Sequence, residues 1–209
     1  MGVRKYGSMG VKFKMLNEMM DTVFTDIPGS YNEIIEETGK LSFNMNSDLY
    51  TGSLLKTLVA SKQSGRILEL GTGGGLATSW ILEGMDAESK LVTVENNPAL
   101  MDIARQLLSD PRIDFILADG YDWLKNYSGE KFDLIFADAM PGKYDLFEET
   151  FALLRPGGFY IIDDMLPQPN WPAGHADKAG AFIAMLGKRK DLLSTKMNWS
   201  TGIIIAVKK

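Results

Sequence analysis

The chain has 209 residues, of which 45% are hydrophobic and 23% charged, and its formal net charge at pH 7 is −5. These values are ordinary for a globular domain, and the acidic balance argues against nucleic acid or an anionic membrane surface as the main partner. The lack of cysteine excludes disulfides, thiolate zinc sites and cysteine nucleophiles, and a single histidine, His175, excludes a histidine-rich metal site.

The first residues carry no pattern typical of a targeting signal. Residues 1–15 are basic, but no apolar run of signal-peptide length follows them. The longest aliphatic stretch, near Ile203 to Val207, is much too short to cross a bilayer. We therefore expect a cytoplasmic protein that acts away from the membrane.

Residues 1–45 are rich in methionine and polar residues and show no clear strand. A helical pattern covers Lys12 to Phe24, and a second helix is predicted where Ser30 and Glu33 have the spacing of a capping box. Gly39 follows as the residue that ends this second helix. The region is therefore predicted to be a helical cap, which serves either as structural cover or as a substrate lid.

Residues 46–209 form the predicted main domain, because short apolar runs alternate there with helical patterns, as in βαβ units with a mostly parallel sheet. The predicted strands are Arg66–Leu70, Leu91–Glu95, Ile113–Leu117, Phe132–Ala137 and Phe159–Ile162, followed by an antiparallel hairpin of Leu192–Asn198 and Gly202–Lys208. The predicted helices are Leu49–Ser61, Leu76–Met85, Pro98–Ser109, Tyr121–Tyr127, Tyr144–Leu154 and Ala176–Lys188. A turn is predicted from Arg155 to Gly158, before the fifth strand.

A glycine-rich loop, Gly71 to Gly75, joins the first predicted strand to the next helix. Glycines at the carboxyl end of a strand let the backbone approach a ligand, and the following helix offers free N–H groups to an anion. Glu95 lies 20 residues after Gly75, the spacing at which an acidic side chain binds the hydroxyls of a ribose. Asp119 ends the third strand and is placed to receive an adenine amino group. The pattern predicts a nucleotide-like cofactor.

Two cofactors fit such a loop, a nicotinamide dinucleotide and S-adenosylmethionine (SAM). Glu69 lies inside the first strand, where its carboxylate would repel a pyrophosphate but tolerate the positive sulfonium of SAM. Tyr121 and Lys125 have the spacing of a hydride-transfer pair, yet they follow the glycine loop too soon for a short-chain dehydrogenase. The sequence therefore favours SAM.

These residues resemble the class I SAM-dependent methyltransferases, and within them the catechol O-methyltransferase-like branch. The resemblance covers Met45 to Lys208 and is carried by ILELGTGGG at 67–75, VTVENNP at 92–98, FDLIFADA at 132–139, LLRPGG at 153–158 and YIIDDML at 160–166. It implies an α/β fold: a Rossmann-like, doubly wound, seven-stranded sheet with an antiparallel last strand in a three-layer α/β/α arrangement. The resemblance and the apolar N-terminal helices also imply a homodimer.

The resemblance assigns the cofactor site residue by residue. Asp138 is expected beside the transferable methyl group, and Met45 and Asn46 resemble the segment that covers the methionine end. The full set implied to bind SAM is Met45, Glu69, Gly71, Thr72, Gly73, Gly75, Glu95, Asn96, Asp119, Gly120, Tyr121 and Asp138.

The same branch holds a divalent cation, usually Mg²⁺, through oxygen ligands that correspond here to Asp138, Asp163 and Asp164. A cation at this edge would activate the acceptor hydroxyl and hold it in line with the methyl group. The chain departs from the family pattern twice. Asp164 replaces an asparagine, and Pro141 stands where the family has a lysine base. Lys143, two residues further on, either reaches inward as a catalytic base or faces water.

The resulting hypothesis is a SAM-dependent methyltransferase that acts on a hydroxyl oxygen of a small, aromatic acceptor, assisted by a metal if one binds. Aminopropyl transfer from decarboxylated SAM is one alternative, because such enzymes have similar glycine loops and an acidic substrate pocket. A non-catalytic SAM-binding protein is the other, because the family lysine is missing at Pro141.

Overall fold

A computed structural model describes residues 26–168 and 171–209; the helix predicted over Lys12 to Phe24 lies outside these residues. The strands are β1 (Arg66–Leu70), β2 (Lys90–Glu95), β3 (Ile113–Leu117), β4 (Phe132–Ala137), β5 (Leu154–Ile162), β6 (Leu192–Met197) and β7 (Ile203–Lys208). They form a single seven-stranded sheet in the order β3-β2-β1-β4-β5-β7-β6. All pairs are parallel except those of β7, which runs antiparallel to both β5 and β6.

The helices of the described chain lie in the connections between these strands and ahead of β1. They are α1 (Tyr31–Lys40), α2 (Leu49–Ala60), α3 (Leu76–Gly84), α4 (Pro98–Leu107), α5 (Gly120–Asn126), α6 (Phe147–Ala152) and α7 (His175–Leu186). None of these helices combines the length and the apolar character that a membrane span requires.

The central strands of the sheet are buried on both faces, as parallel strands with helical connections must be. Successive residues of β1 point to opposite faces: Leu68 joins a core with residues of α6 and α7, and Ile67 joins a core with residues of α2 and α3. The predicted three-layer α/β/α fold with an antiparallel last strand is confirmed. Strand order reverses between β1 and β4, so the cleft at their carboxyl ends is the expected ligand site of this fold class.

The predicted boundaries that differ most from the structure lie around β5 and in the cap. The helix predicted over Tyr144–Leu154 is limited to α6, Phe147–Ala152. β5 begins at Leu154, because Leu154 pairs with Phe132 of β4, and the predicted turn from Arg155 to Gly158 is an irregularity in the strand register. Helix α1 continues through Gly39 and ends at Lys40, and the Ser30 side chain makes no capping hydrogen bond.

Helix α1 belongs to the predicted cap, and it packs against the body of the fold. Ile34 of α1 is fully buried in a cluster with Leu76 of α3 and Leu108, which follows α4. Thr38, also fully buried, faces the glycine loop, where a Cβ on Gly74 would come within 2.1 Å of its methyl group. The division at residue 45 stays a prediction, while the described part of the cap contributes to the core.

Candidate active site

The glycine loop crosses the carboxyl end of β1 and begins α3. Gly71 and Gly73 have positive φ angles of 98° and 54°, which side chains with a Cβ rarely adopt. A Cβ on Gly71 would lie 2.7 Å from the carbonyl oxygen of Asp138, and one on Gly73 would lie 3.4 Å from the Phe43 ring. Glycine at these two positions therefore lets the loop fit between β4 and the segment that precedes α2.

Gly75 is also in the left-handed region, with a φ of 94°. It packs against neighbouring side chains and does not line the cavity described below. A Cβ at this position would come within 2.8 Å of the Leu108 side chain and 3.1 Å of Ala104. Gly75 was predicted to line the cofactor pocket. The structure places it beneath the loop, against α4.

Glu95 ends β2 and turns back toward the glycine loop. Its Oε2 accepts a hydrogen bond from the Gly73 N–H at 2.8 Å, and its Oε1 accepts from the N–H groups of Asn96 and Asn97 at 3.0 and 2.9 Å. The Asn97 side chain in turn caps α4 by accepting from the Ala99 N–H at 3.0 Å. The carboxylate is thus held in one orientation at the mouth of the cleft.

Two cavities meet at Glu95 and Asn96. The first, of about 320 Å³, lies over the glycine loop and is covered by Phe43, Met45, Asn46 and Ser47. The second, of about 280 Å³, lies between the ends of β2 and β4, with Asp119, Gly120 and Tyr121 on one side and Pro141 on the other. Most residues predicted to bind the cofactor line one of them: Met45, Gly71, Thr72, Gly73, Glu95, Asn96, Asp119, Gly120, Tyr121 and Asp138.

Asp119 caps a helix beside the second cavity. Its Oδ1 accepts from the N–H groups of Tyr121 and Asp122 at 2.7 and 3.2 Å and so caps α5. The Tyr121 hydroxyl donates to Asp145 Oδ2 at 2.9 Å, and the Lys178 ammonium lies 3.2 Å from the same oxygen. These contacts fix the side of the cavity where the sequence predicted an adenine.

Glu69 lies behind the glycine loop and lines neither cavity. Its side chain is fully buried, and its Oε2 accepts hydrogen bonds from the hydroxyls of Thr78 and Thr93, both at 2.6 Å. Thr93 also shares a 2.6 Å hydrogen bond with Thr72 of the loop. Burial raises the pKa of Glu69 from 4.5 to about 7. Glu69 was predicted to contact the cofactor, and the structure places it as a buried support of the loop.

A third cavity, of about 390 Å³, opens on the far side of Met45. It shares Asp138, Ala139 and Asp164 with the first cavity, so these residues stand at the junction of the two. Its other walls come from the segment after β4 and the loop that leads to α7: Met140, Lys143, Tyr144, Asp163, Gln168, Trp171, Pro172 and His175.

The carboxyl groups at this junction are poorly solvated. Burial raises the pKa of Asp138 well above its usual value, nearby Asp163 adds to the rise, and Lys143 opposes it. Burial also raises the pKa of Asp163, to about 6, although a 2.6 Å hydrogen bond from the Thr201 hydroxyl acts in the opposite direction. Asp164 adopts a positive φ of 56°, and its N–H donates to Asp163 Oδ1 at 2.7 Å.

Lys143 reaches inward. Only 6% of its side chain is exposed, and its Nζ lies 3.9 Å from Oδ1 of Asp138, whose side chain is 16% exposed. The sequence left open whether this lysine faces water or the site. The structure places it in the wall of the third cavity.

The side chains around the predicted magnesium ligands oppose a shared cation. Within residues 26–168 and 171–209, no group of three or more His, Cys, Asp or Glu side chains is arranged to hold a metal ion. Oδ1 of Asp163 already accepts two hydrogen bonds, from Thr201 and from the backbone of Asp164, and a buried ammonium approaches Asp138. In this arrangement the side chains do not fit a cation held by Asp138, Asp163 and Asp164, and the metal assignment stays a prediction.

The middle of the chain matches a known family. Residues 68–165, which run from β1 to just past β5, match the family model described as "Methyltransferase domain". The match covers the part of the fold that carries the glycine loop and Asp138, and this segment is similar to a methyltransferase domain. The resemblance predicted from the motifs is therefore confirmed.

Curated relatives carry the same kind of domain. The catechol O-methyltransferase of Mycobacterium tuberculosis is 29% identical over 120 residues, which are 55% of this chain and 54% of that protein. The chain spans about half the length of the curated relatives that it matches.

Solved methyltransferases share the fold over nearly the whole chain. The O-methyltransferase from Bacillus cereus, solved in complex with S-adenosylhomocysteine (SAH), superposes with a TM-score of 0.79 at 23% identity, covering 93% of this chain and 97% of that one. An O-methyltransferase from Streptomyces achromogenes, solved with SAM, gives a TM-score of 0.76 at 23% identity and covers 100% and 99% of the two chains. At this level of identity, the likeness shows a common fold.

Sequence reasoning missed part of the segment that covers the glycine loop. Phe43 covers the loop at Gly73, and Asn46, whose Nδ2 donates to the Thr38 hydroxyl at 2.9 Å, ties the covering segment to α1. Met45 and Asn46 gave a signal through the family resemblance, but Phe43 gave none. Trp171 lines the third cavity, whereas Trp199 donates to the Tyr50 carbonyl at 3.0 Å and packs against the core formed with α2.

Proposed function

We propose that the chain is a SAM-dependent methyltransferase that transfers the methyl group to a hydroxyl oxygen of a small molecule. The observation that carries the proposal is the junction at Asp138 and Asp164, which line both the cavity over the glycine loop and the separate third cavity. A donor in the first cavity and an acceptor in the third would meet at this point. The match of residues 68–165 to the methyltransferase family model supports the same activity.

The donor site is supported by three features of the cleft. The loop backbone at Gly71 and Gly73 leaves room for the methionine part, and Oε2 of Glu95, which accepts one hydrogen bond from Gly73, can also accept a ribose hydroxyl. The second cavity is mainly apolar on its inner side, where Leu70 and Val94 lie, and suits a flat adenine ring. Tyr121 and Pro141 would bound that ring.

Bound SAM supplies a methyl group on a positively charged sulfonium. During transfer the sulfur–methyl bond breaks with its electron pair left on sulfur, an oxygen–methyl bond forms, and the hydroxyl proton leaves. Asp138 lines the junction, and in its ionised form it would accept that proton and pass it to water. Its burial strengthens its hydrogen bond to an acceptor hydroxyl in a poorly solvated site.

We infer that the acceptor is aromatic. The Trp171 and His175 rings lie 4.4 Å apart, and the Tyr144 ring meets His175 edge to face at 5.1 Å, all in the wall of the third cavity. Such rings favour a flat apolar partner.

The same proposal includes a cytoplasmic location and a homodimer, and light scattering on purified protein tests the dimer.

The proposal is tested by calorimetric titration with SAM, SAH and decarboxylated SAM, followed by methyl transfer from labelled SAM to a panel of catechols and other phenols. We expect SAM and SAH to bind and label to appear in the phenol fraction. Binding of decarboxylated SAM alone would favour aminopropyl transfer. SAM binding with no turnover on any acceptor would favour a non-catalytic protein. Failure of both SAM and SAH to bind would overturn the proposal.

A further inference from the structure

Lys143 is held in the third cavity by the turn that follows β4. Gly142 precedes it with a φ of 83°, and the Gly142 N–H donates to the Asp145 carbonyl at 2.7 Å. The Gly142 carbonyl accepts a hydrogen bond from the buried Tyr160 hydroxyl. A Cβ on Gly142 would come within 2.4 Å of Leu70, so a side chain cannot readily replace the glycine. The turn therefore fixes the direction in which Lys143 leaves the backbone.

The Lys143 side chain is one of the few buried polar side chains of the described chain, and it faces carboxyl groups. Its Nζ lies 3.9 Å from Asp138 Oδ1 and 5.7 Å from the centre of the Tyr144 ring. Asp163, only 3% exposed, lines the same cavity. A buried ammonium and buried carboxylates are each costly alone, and each lowers the cost of the other.

The ammonium also stands where an acceptor would lie. It shares the wall of the third cavity with Asp138 and Asp164, the residues that reach the donor cavity. A hydroxyl oxygen that loses its proton beside Asp138 would develop negative charge within reach of Nζ. A fixed positive charge that faces such an oxygen in a poorly solvated site lowers the barrier to transfer.

We propose that the buried Lys143 ammonium, in place of a divalent cation, is the positive charge of the acceptor site, where it balances Asp138 and Asp163 and stabilises the oxygen that attacks the methyl group. The inference rests on the proposed methyl transfer. It assigns Lys143 the role of an electrostatic catalyst instead of a proton acceptor. It also distinguishes this chain from the metal-dependent branch that its motifs resemble.

The first test measures methyl transfer from labelled SAM to a phenol by protein stripped of metal with a chelator. We expect the stripped protein to keep its rate within about twofold, and added Mg²⁺ or Mn²⁺ to change that rate by no more than about twofold. A rate that is lost on stripping and restored by either cation would overturn the inference. Absence of SAM binding in every condition would instead count against the proposed function.

The second test needs no turnover. Electron paramagnetic resonance of Mn²⁺ with the parent protein reports cation binding directly, and we expect no saturable site. The variant Lys143→Met, which leaves the carboxyl groups without their ammonium, is expected to gain Mn²⁺ affinity. Tight, saturable Mn²⁺ binding by the parent would overturn the inference, whatever the activity of the preparation.

The third test separates charge from packing. Lys143→Met is expected to lower kcat by about 100-fold while the Kd for SAH stays within about threefold, and Lys143→Arg is expected to recover part of the rate. Lys208→Met is the matched control, since the Lys208 ammonium is also partly buried but bonds to the Phe151 and Leu154 carbonyls, outside the three cavities. If Lys143→Met folds and turns over like Lys208→Met, the inference is wrong.

Discussion

Oε2 of Glu95 accepts a hydrogen bond from the backbone N–H of Gly73 at 2.8 Å, so the end of β2 and the glycine loop are linked across the mouth of the cleft. The link has two consequences. It orients the carboxylate toward the place where a ribose would lie, and it holds the loop open to the methionine part of the donor. We therefore predict that cofactor affinity depends on Glu95, which contacts both halves of the site.

Glu95→Gln should weaken SAM binding. The amide can still accept from Gly73, but it loses the charge that strengthens hydrogen bonds from the ribose hydroxyls, and we expect the Kd to rise by about tenfold. Isothermal calorimetry with SAM and SAH checks this. Glu88→Gln, an exposed glutamate in the turn before β2, is the control and should bind like the parent. Equal affinity in the two variants would remove Glu95 from the ribose site.

Asp138→Asn should separate binding from chemistry. The asparagine keeps the size of the side chain but accepts no proton, so we expect kcat to fall by at least about 100-fold with the Kd for SAH nearly unchanged. Labelled methyl transfer and calorimetry on the same preparation give the two numbers. Asp114→Asn, on the exposed side of β3, serves as the control. Undiminished turnover would show that the proton leaves by another route.

Glu69 should make stability depend on pH. Because burial raises its pKa from 4.5 in the usual case to about 7 in the fold, the folded state retains a proton that the unfolded state loses across this range. The free energy of unfolding therefore decreases as pH rises from 4.5 to 7, and this one group accounts for about 3 kcal/mol of the decrease.

Glu69→Gln removes that titration. Urea unfolding of parent and variant at about pH 5 and about pH 8 should show the variant gaining stability relative to the parent at the higher pH. Thr78 and Thr93 can still donate to the amide oxygen, so the loop support is retained. A difference between the two proteins that stays constant with pH would mean that Glu69 is ionised in the fold.

Gly74→Ala should disturb the packing of α1 against the glycine loop. The added methyl group would lie 2.1 Å from Cγ2 of Thr38, and relief of such an overlap costs about 1–3 kcal/mol of stability. Thr38→Ser removes that methyl group but keeps the hydroxyl that donates to the Ile34 carbonyl at 2.7 Å. The double variant should recover part of the loss, as urea unfolding would show. Additive losses would indicate that the strain has another source.

The fold was largely visible in the sequence because its strands are continuous apolar runs bounded by polar or glycine residues. β1, β3 and β4 have the predicted bounds, since Gly71 follows the first and Asp138 the last. The predicted fifth strand was too short because a run that contains Pro156 and two glycines has the composition of a turn. Its pairing with β4 depends on Phe132, which no local pattern could indicate.

The candidate site was less visible, since sequence motifs specify which residues are near a ligand but not which way they face. Glu69 and Gly75 both belong to the loop motif, yet one is buried behind the loop and the other packs against α4. The direction of Lys143 depends on the turn at Gly142 and on Tyr160, a residue from the next strand. Contacts between distant parts of the chain decide these orientations.

The placement of β7 between β5 and β6 has a consequence for how the molecule is built. During synthesis, β6 is made before the strand that joins it to the sheet, and until β7 pairs, the edge of β5 opposite β4 offers unpaired N–H and C=O groups to any other strand. Nascent chains that stall before Ile203 would therefore be prone to self-association.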